Sequence, residues 1–222
     1  MITVGNTVLI TGGSSGIGLA LEKRFLAFNN KVIITGRDKA KLEQIKNEFP
    51  EITIFAGDLS DENSLVLYVE RQHSNLNILI NNAAVQYNFN FIDEPNSNHK
   101  IDYEISTNST APVKLTSLLL PLLLKNKNSA VINVSNGLFI APKKSASVYC
   151  ATKSAIHSFS KTLRYQLEEK GIKAFELIPA LVETPMTAGR GKLKIAPDEL
   201  VDEFFKNFIL IMLRFILVKL NY

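Results

Sequence analysis

Short apolar runs and amphipathic stretches take turns along most of this chain. Val8, Leu9 and Ile10 form an uncharged, β-rich run, as a strand covered on both faces requires. A glycine-rich turn follows, and apolar positions then recur at helical spacing in Ile17, Leu21, Phe25 and Phe28. The alternation repeats, with strands predicted at 31–35, 52–56 and 78–80 and helices at 39–49 and 61–71, the latter capped by Ser60 or Asp61. After a polar loop over 87–100, a long helix is predicted at 103–124, capped or kinked by Pro112 and Pro121. A strand at 130–135, a helix at 147–169 ended by Gly171 and a strand at 173–178 follow. Pro197 opens a further capped helix. Strands alternating with helices through short connections predict right-handed crossovers and a doubly wound parallel sheet in three layers, α/β/α. Ligands of such sheets collect at the carboxyl ends of the strands.

The bulk properties narrow the classes of function. A chain of 222 residues can bury one substantial core, and no repeat or low-complexity linker divides it, so residues 1–222 are expected to be one domain. The net charge of +4 is modest and the lysines are scattered among acids, which argues against nucleic acid as a partner. Cys150 is the only cysteine, so no disulfide forms within the chain, in keeping with a cytoplasmic protein. His73, His99, His157 and Cys150 lie far apart and show no metal-ligand spacing. No apolar block approaches the roughly 20 residues that a bilayer span needs.

The first glycine-rich turn is the anchor for chemistry. In TGGSSGIG, Gly12, Gly16 and Gly18 clear side chains where the backbone turns and where a helix packs on its strand. The helix N-terminus behind them is a natural seat for phosphate. Tyr149 and Lys153 are four residues apart on a predicted helix, so phenol and ammonium project from one face. A nearby ammonium is expected to lower the phenol's pKa and make it a usable acid or base.

TGGSSGIG, Asn81-Asn82-Ala83-Ala84 and Tyr149-Cys-Ala-Thr-Lys153, in this order, resemble the motifs of the short-chain dehydrogenase/reductase family over about residues 7–184. The run from Val148 to His157 resembles a bacterial subgroup named for lipoteichoic acid D-alanylation. The resemblance implies a Rossmann-like fold and hydride transfer between NADP(H) and a carbonyl or secondary alcohol. It implies Tyr149 as acid/base, Lys153 as the residue that tunes it and holds the nicotinamide ribose, and Asn108 as backbone support for a proton-relay water. Cofactor contacts are implied at Gly12, Ser14, Ser15, Gly16, Ile17, Gly18, Asp58, Leu59, Asn82, Ala83, Pro179, Val182 and Thr184, besides Tyr149 and Lys153. Relatives selective for NAD usually carry an acid at the end of the second strand; here Arg37 follows Thr35 and Gly36, which favours NADP(H) over NAD(H). The alternative is a solvated Arg37 beside an Asp38 that caps the next helix. Family members also pair through their long helices, so a homodimer or homotetramer is implied.

Two departures stand out. The serine that the family places thirteen residues before its tyrosine is Asn136 here, and Ser135 should point to the opposite face. An amide can donate to a substrate oxygen, so Asn136 is expected to replace serine in part. The other reading is a nucleotide-binding protein with little catalysis. The tail from Phe208, FILIMLRFILVKLNY, loses amphipathicity and turn signals, and the family's usual final strand is expected to be missing. Its residues are mostly those of A/T-rich codons, as in an out-of-frame reading. Competing explanations are a buried replacement strand and a membrane-surface helix, the latter disfavoured for want of a continuous polar face.

Overall fold

Side-chain alternation along the strands divides the interior into two halves. The computed structural model describes residues 3–210 and 216–217. Its strands are β1 (Thr7–Thr11), β2 (Lys31–Gly36), β3 (Thr53–Ala56), β4 (Ile78–Asn81), β5 (Ala130–Val134), β6 (Lys173–Ile178) and β7 (Ile216–Leu217). They form one parallel sheet in the order β3-β2-β1-β4-β5-β6-β7. Val8, Ile10, Ile34 and Ile80 face one side, while Leu9, Ile33 and Leu79 face the other. Both faces need cover, and the helices supply it.

The first side carries α1 (Gly16–Ala27), α2 (Lys39–Glu48) and α7 (Pro197–Leu210), with Leu21, Phe25, Leu42, Phe204 and Phe205 in its core. Phe25 and Phe205 meet edge to face at 4.8 Å, and Arg24 pairs with Asp202, so α7 is clamped onto α1. The second side carries α3 (Glu62–Gln72), α5 (Ala111–Lys125) and α6 (Ser147–Glu168), with Leu65, Leu115, Leu119 and Leu163 buried beneath them.

Two sequence expectations change. The helix predicted from 103 begins earlier, as α4 (Asn98–Ile105), and passes through a π-helical segment, Ser106–Thr110, before α5. Pro112 follows closely on the π-helical segment, and Pro121 lies inside α5. The sheet also does not stop at β6: Ile216 and Leu217 pair with Leu177 and Ile178, which corrects the expectation of a missing final strand. An open strand edge offers unpaired backbone groups, and even two extended residues satisfy some of them. The helix α7 likewise runs on to Leu210, beyond the onset of the unusual tail. The out-of-frame reading of 208–222 otherwise falls on residues outside those described.

A polar strip crosses the middle of the sheet. Asn81 and Asn133 are register partners on β4 and β5, and the Asn81 amide donates to Asn133 Oδ1 at 2.8 Å. Asn133 donates to Ser160 on α6 at 2.9 Å, and Asn81 to Thr116 on α5 at 3.2 Å. At the switch in strand order, Thr11 Oγ1 accepts from the N–H groups of Asn82 and Ala83, both at 3.0 Å. The carboxyl ends of β1 and β4 are thereby tied side by side.

Candidate active site

A cleft of about 1050 Å³ opens over the carboxyl ends of the six longer strands. Most of the residues singled out in the sequence line it: Gly12, Ser14, Ser15, Gly16, Ile17, Arg37, Asp58, Leu59, Asn82, Ala83, Asn136, Tyr149, Lys153, Pro179, Val182 and Thr184. Gly12 has φ +66°, and a Cβ there would press on the Ala83 backbone at 2.9 Å. A Cβ on Gly18 would collide with the Gly12 carbonyl, so this glycine packs the helix on its turn and does not line the cleft. Ser15 precedes α1 without a side-chain cap, leaving the first-turn N–H groups directed at the cleft. The turn geometry and charge therefore suit a dinucleotide diphosphate.

At the β2 and β3 end, Arg37 and Asp58 are joined through a residue that the sequence reading missed. Tyr103 of α4 donates to Asp58 at 3.0 Å, and Arg37 donates to the Tyr103 oxygen, its guanidinium 5.3 Å from the ring centre. Burial raises Asp58, but hydrogen bonds from Ser60 and Tyr103 and the charge of Arg37 outweigh it and hold the carboxyl below its usual range. Asp38 caps α2 by accepting from the Lys41 N–H at 3.1 Å. The Asp38 cap is the one that the alternative reading of this corner expected, and Arg37 is exposed while also lining the cleft. The Asn82 side chain is spent on the turn, donating to the Thr11 and Gly12 carbonyls at 2.9 and 3.1 Å.

At the opposite end, Asn136 donates to Tyr149 Oη at 3.0 Å while its Oδ1 accepts from the Leu138 N–H at 3.0 Å. The second bond dictates which way the amide points. Ser135 faces away and donates to buried Glu176, so it is no substitute donor, as strand alternation requires. Lys153 Nζ donates to the Val134 carbonyl at 2.8 Å and lies 5.4 Å from the centre of the Tyr149 ring. Glu176 also binds His157 Nδ1 at 2.9 Å.

The electrostatics differ from the expectation of an acidic phenol. Burial pushes Tyr149 well above the usual tyrosine value; the carboxyl of Glu104 adds to the rise, while Arg190 and the Asn136 bond oppose it. The physical reason is that the ring is 5 % exposed and water no longer solvates a phenolate. Burial also pushes Lys153 down to about 8, against the raising influence of Glu176. Tyr149 is therefore a protonated acid at neutral pH, the state that carbonyl reduction needs.

Asn108 lies in the π-helical segment, fully enclosed. Its side chain accepts from the Val85 N–H and donates to the Val85 carbonyl, both at 2.8 Å, and donates to Thr152 at 3.3 Å. It pins the segment after β4 against the helix that carries Tyr149. Such π turns occur mostly at functional sites. The segment after Thr184, which showed no diagnostic chemistry in the sequence, sends Arg190 across to Gln86, where Nη1 donates to Oε1 at 2.8 Å. The 104 positions between them carry no local signal of this contact.

The architecture and this helix-borne tyrosine and lysine define an α/β oxidoreductase of the dinucleotide-binding kind. A family profile described as short chain dehydrogenase matches residues 6–194, and the chain belongs to that family. It is 42% identical over 182 residues to a Bacillus subtilis protein named "Uncharacterized oxidoreductase DltE", a match covering 81% of this chain and 72% of that protein. Among solved structures, a short-chain dehydrogenase from Sphingobium yanoikuyae in complex with NADPH is 28% identical with a TM-score of 0.82, covering 92% of this chain and 85% of the other. A 3-ketoacyl-(acyl-carrier-protein) reductase from Brucella melitensis complexed with NADH is 27% identical with a TM-score of 0.85, covering 93% and 91%. The protein is an NAD(P)-dependent oxidoreductase of the short-chain type. No helix among the described residues is long and apolar enough to cross a membrane.

Proposed function

We propose that this chain reduces a small carbonyl compound, or oxidises the matching secondary alcohol, with NADP(H) as redox partner. The observation that carries the reading is the contact between Asn136 Nδ2 and Tyr149 Oη at 3.0 Å, above buried Lys153. When bound, the nicotinamide dinucleotide supplies or accepts the hydride. Tyr149 gives its proton to the carbonyl oxygen in reduction and takes one from the alcohol in oxidation. Asn136 donates a second hydrogen bond to that oxygen. Lys153 supplies positive charge behind the phenol, and Asn108 fixes the wall through which the proton is replaced.

Gly12, Ser14, Ser15, Gly16 and Ile17 are assigned to the diphosphate and Arg37 to a 2′-phosphate. Asp58 and Leu59 are assigned to adenine, and Asn82, Ala83, Pro179, Val182 and Thr184 to the nicotinamide half. Relatives hold NADPH in one case and NADH in another, so the choice rests on Arg37 and on the lack of an acid at Thr35 or Gly36. Pairing into a homodimer or homotetramer is supported by exposed Leu118 and Leu124 on α5 and Tyr165 on α6. The lone buried cysteine suits a cytoplasmic setting.

The commitment of Lys153 to the Val134 carbonyl favours a second reading, a nucleotide binder with little turnover. NADPH oxidation over a carbonyl panel, run beside direct NADPH binding, separates the two. Turnover that disappears in Tyr149→Phe supports the enzyme; tight binding with no oxidation on any carbonyl supports the binder.

A further inference from the structure

The half of the cleft around Tyr149 has an unbalanced charge. Carboxylates line the cleft only at Asp38 and Asp58, both at the β2 and β3 end, whereas Lys143 and Arg190 line the Tyr149 end. Among the described residues neither Lys143 nor Arg190 joins an ion pair. Arg190 is half-buried and held in place: its N–H donates to the Thr187 carbonyl at 3.0 Å, and the loop around it is tied by Ile195 N–H to Leu181 O at 2.9 Å. Its guanidinium reaches over the cleft to Gln86, a neutral partner that satisfies one of five donors. Ile140, Leu181 and Met186 give the same end an apolar wall.

A guanidinium placed beside a reaction site, with no carboxylate to neutralise it, is poised for an oxyanion with two coplanar or nearly coplanar oxygens. We infer that the substrate is a carbonyl compound bearing an anionic oxyacid group, carboxylate or phosphate. Arg190 binds that group from the loop after β6, Lys143 adds a second positive charge, and the apolar part of the substrate lies against Ile140, Leu181 and Met186. The inference rests on the reductase reading and names its substrate class. The charge of Arg190 already acts on the Tyr149 phenol, so the two groups are near enough to serve one small molecule.

The test uses matched pairs with the same ketone: an oxo acid against its methyl ester, and a keto phosphate against its dephosphorylated alcohol. With NADPH in excess, the intact protein should favour at least one charged member by ~10-fold or more in kcat/KM, mainly through KM. Arg190→Gln should bring that ratio to within about 2-fold, and Arg190→Lys should keep part of it. The pair that responds identifies carboxylate or phosphate as the group. Ratios near one in the unmodified protein overturn the inference while leaving the reductase reading intact. An Arg190→Gln variant that loses charged and neutral substrates alike, together with NADPH affinity, assigns Arg190 to the cofactor and also overturns it. Absence of turnover on every neutral and charged ketone sinks the reductase reading and the inference with it.

Discussion

The amide of Asn136 is oriented by the Leu138 N–H, so that it offers Tyr149 a donor and never an acceptor. Under the proposed reductase reading, the same orientation turns the amide's N–H, and not its oxygen, toward a substrate oxygen. Asn136→Ala should lower kcat for carbonyl reduction by roughly 100-fold, in the range seen when an oxyanion donor is deleted. Asn136→Ser should raise kcat, because the shorter side chain frees Tyr149 Oη to address substrate. Steady-state NADPH oxidation checks both, and a serine variant that folds yet gains nothing removes the argument.

The proposed preference for NADP(H) rests on Arg37. Arg37→Ala should weaken NADPH binding by roughly 10-fold or more and leave NADH nearly unaffected, since only NADPH carries the 2′-phosphate. Fluorescence titration with the two nucleotides reads this directly. Equal losses for both would show that Arg37 acts through the Tyr103–Asp58 contacts instead.

Lys153 and Glu176 set a pH limit. Burial holds the ammonium down at about 8 while Glu176 opposes the fall. If the charged lysine supports reduction, kcat/KM declines as pH rises through that value. Glu176→Gln removes the opposing charge, so the decline should move to lower pH. The stability sign follows from the same shift: with its folded pKa below the ordinary 10.5, Lys153 contributes stability that is present above 10.5 and lost as pH falls toward about 8. Lys153→Met should therefore raise Tm at pH 7 while abolishing turnover, measured by thermal melts and by NADPH oxidation.

Glu22 is a liability in α1. It is 0 % exposed, neither carboxyl oxygen has a hydrogen-bond partner among the described residues, and burial pushes its pKa up to about 8. A carboxyl raised above its unfolded value near 4.5 contributes stability that is fully present below 4.5 and lost as pH rises through about 8. Glu22→Leu should stabilise the fold by ~1–3 kcal/mol at pH 8, with a smaller gain at pH 5. Urea melts at the two pH values check it; equal gains at both would show that the carboxyl is not buried as the acid.

The order of strands and helices was legible because parallel strands enclosed on both faces read as unbroken apolar runs, as in β1 and β5. Tyr149 and Lys153 were legible because four-residue spacing sets them on one helical face. The start of α4 was not, since Asn98, His99 and Lys100 carry no apolar periodicity and the helix is held by contacts of Glu104 and Asn108 with the 85–87 segment. The acidity of the phenol was misjudged because spacing reveals the neighbouring lysine but not the burial that governs both groups. Tyr103 and Arg190 escaped notice for a related reason: their partners, Arg37 and Gln86, are 66 and 104 positions away, and no local pattern encodes such pairings.

The amide ladder joining Asn81 to Asn133 has a bearing on how the sheet finds its alignment. If β4 slid by one step along β5, Asn81 would turn to the other face and lose its bonds to Asn133 and Thr116, leaving its amide and Asn133 Oδ1 unpartnered in a dry interior at a cost of ~1–3 kcal/mol apiece. Such misaligned chains are thus selected against during assembly. The lip of the cleft, only one or two residues beyond these asparagines, is delivered in correct phase before any ligand arrives.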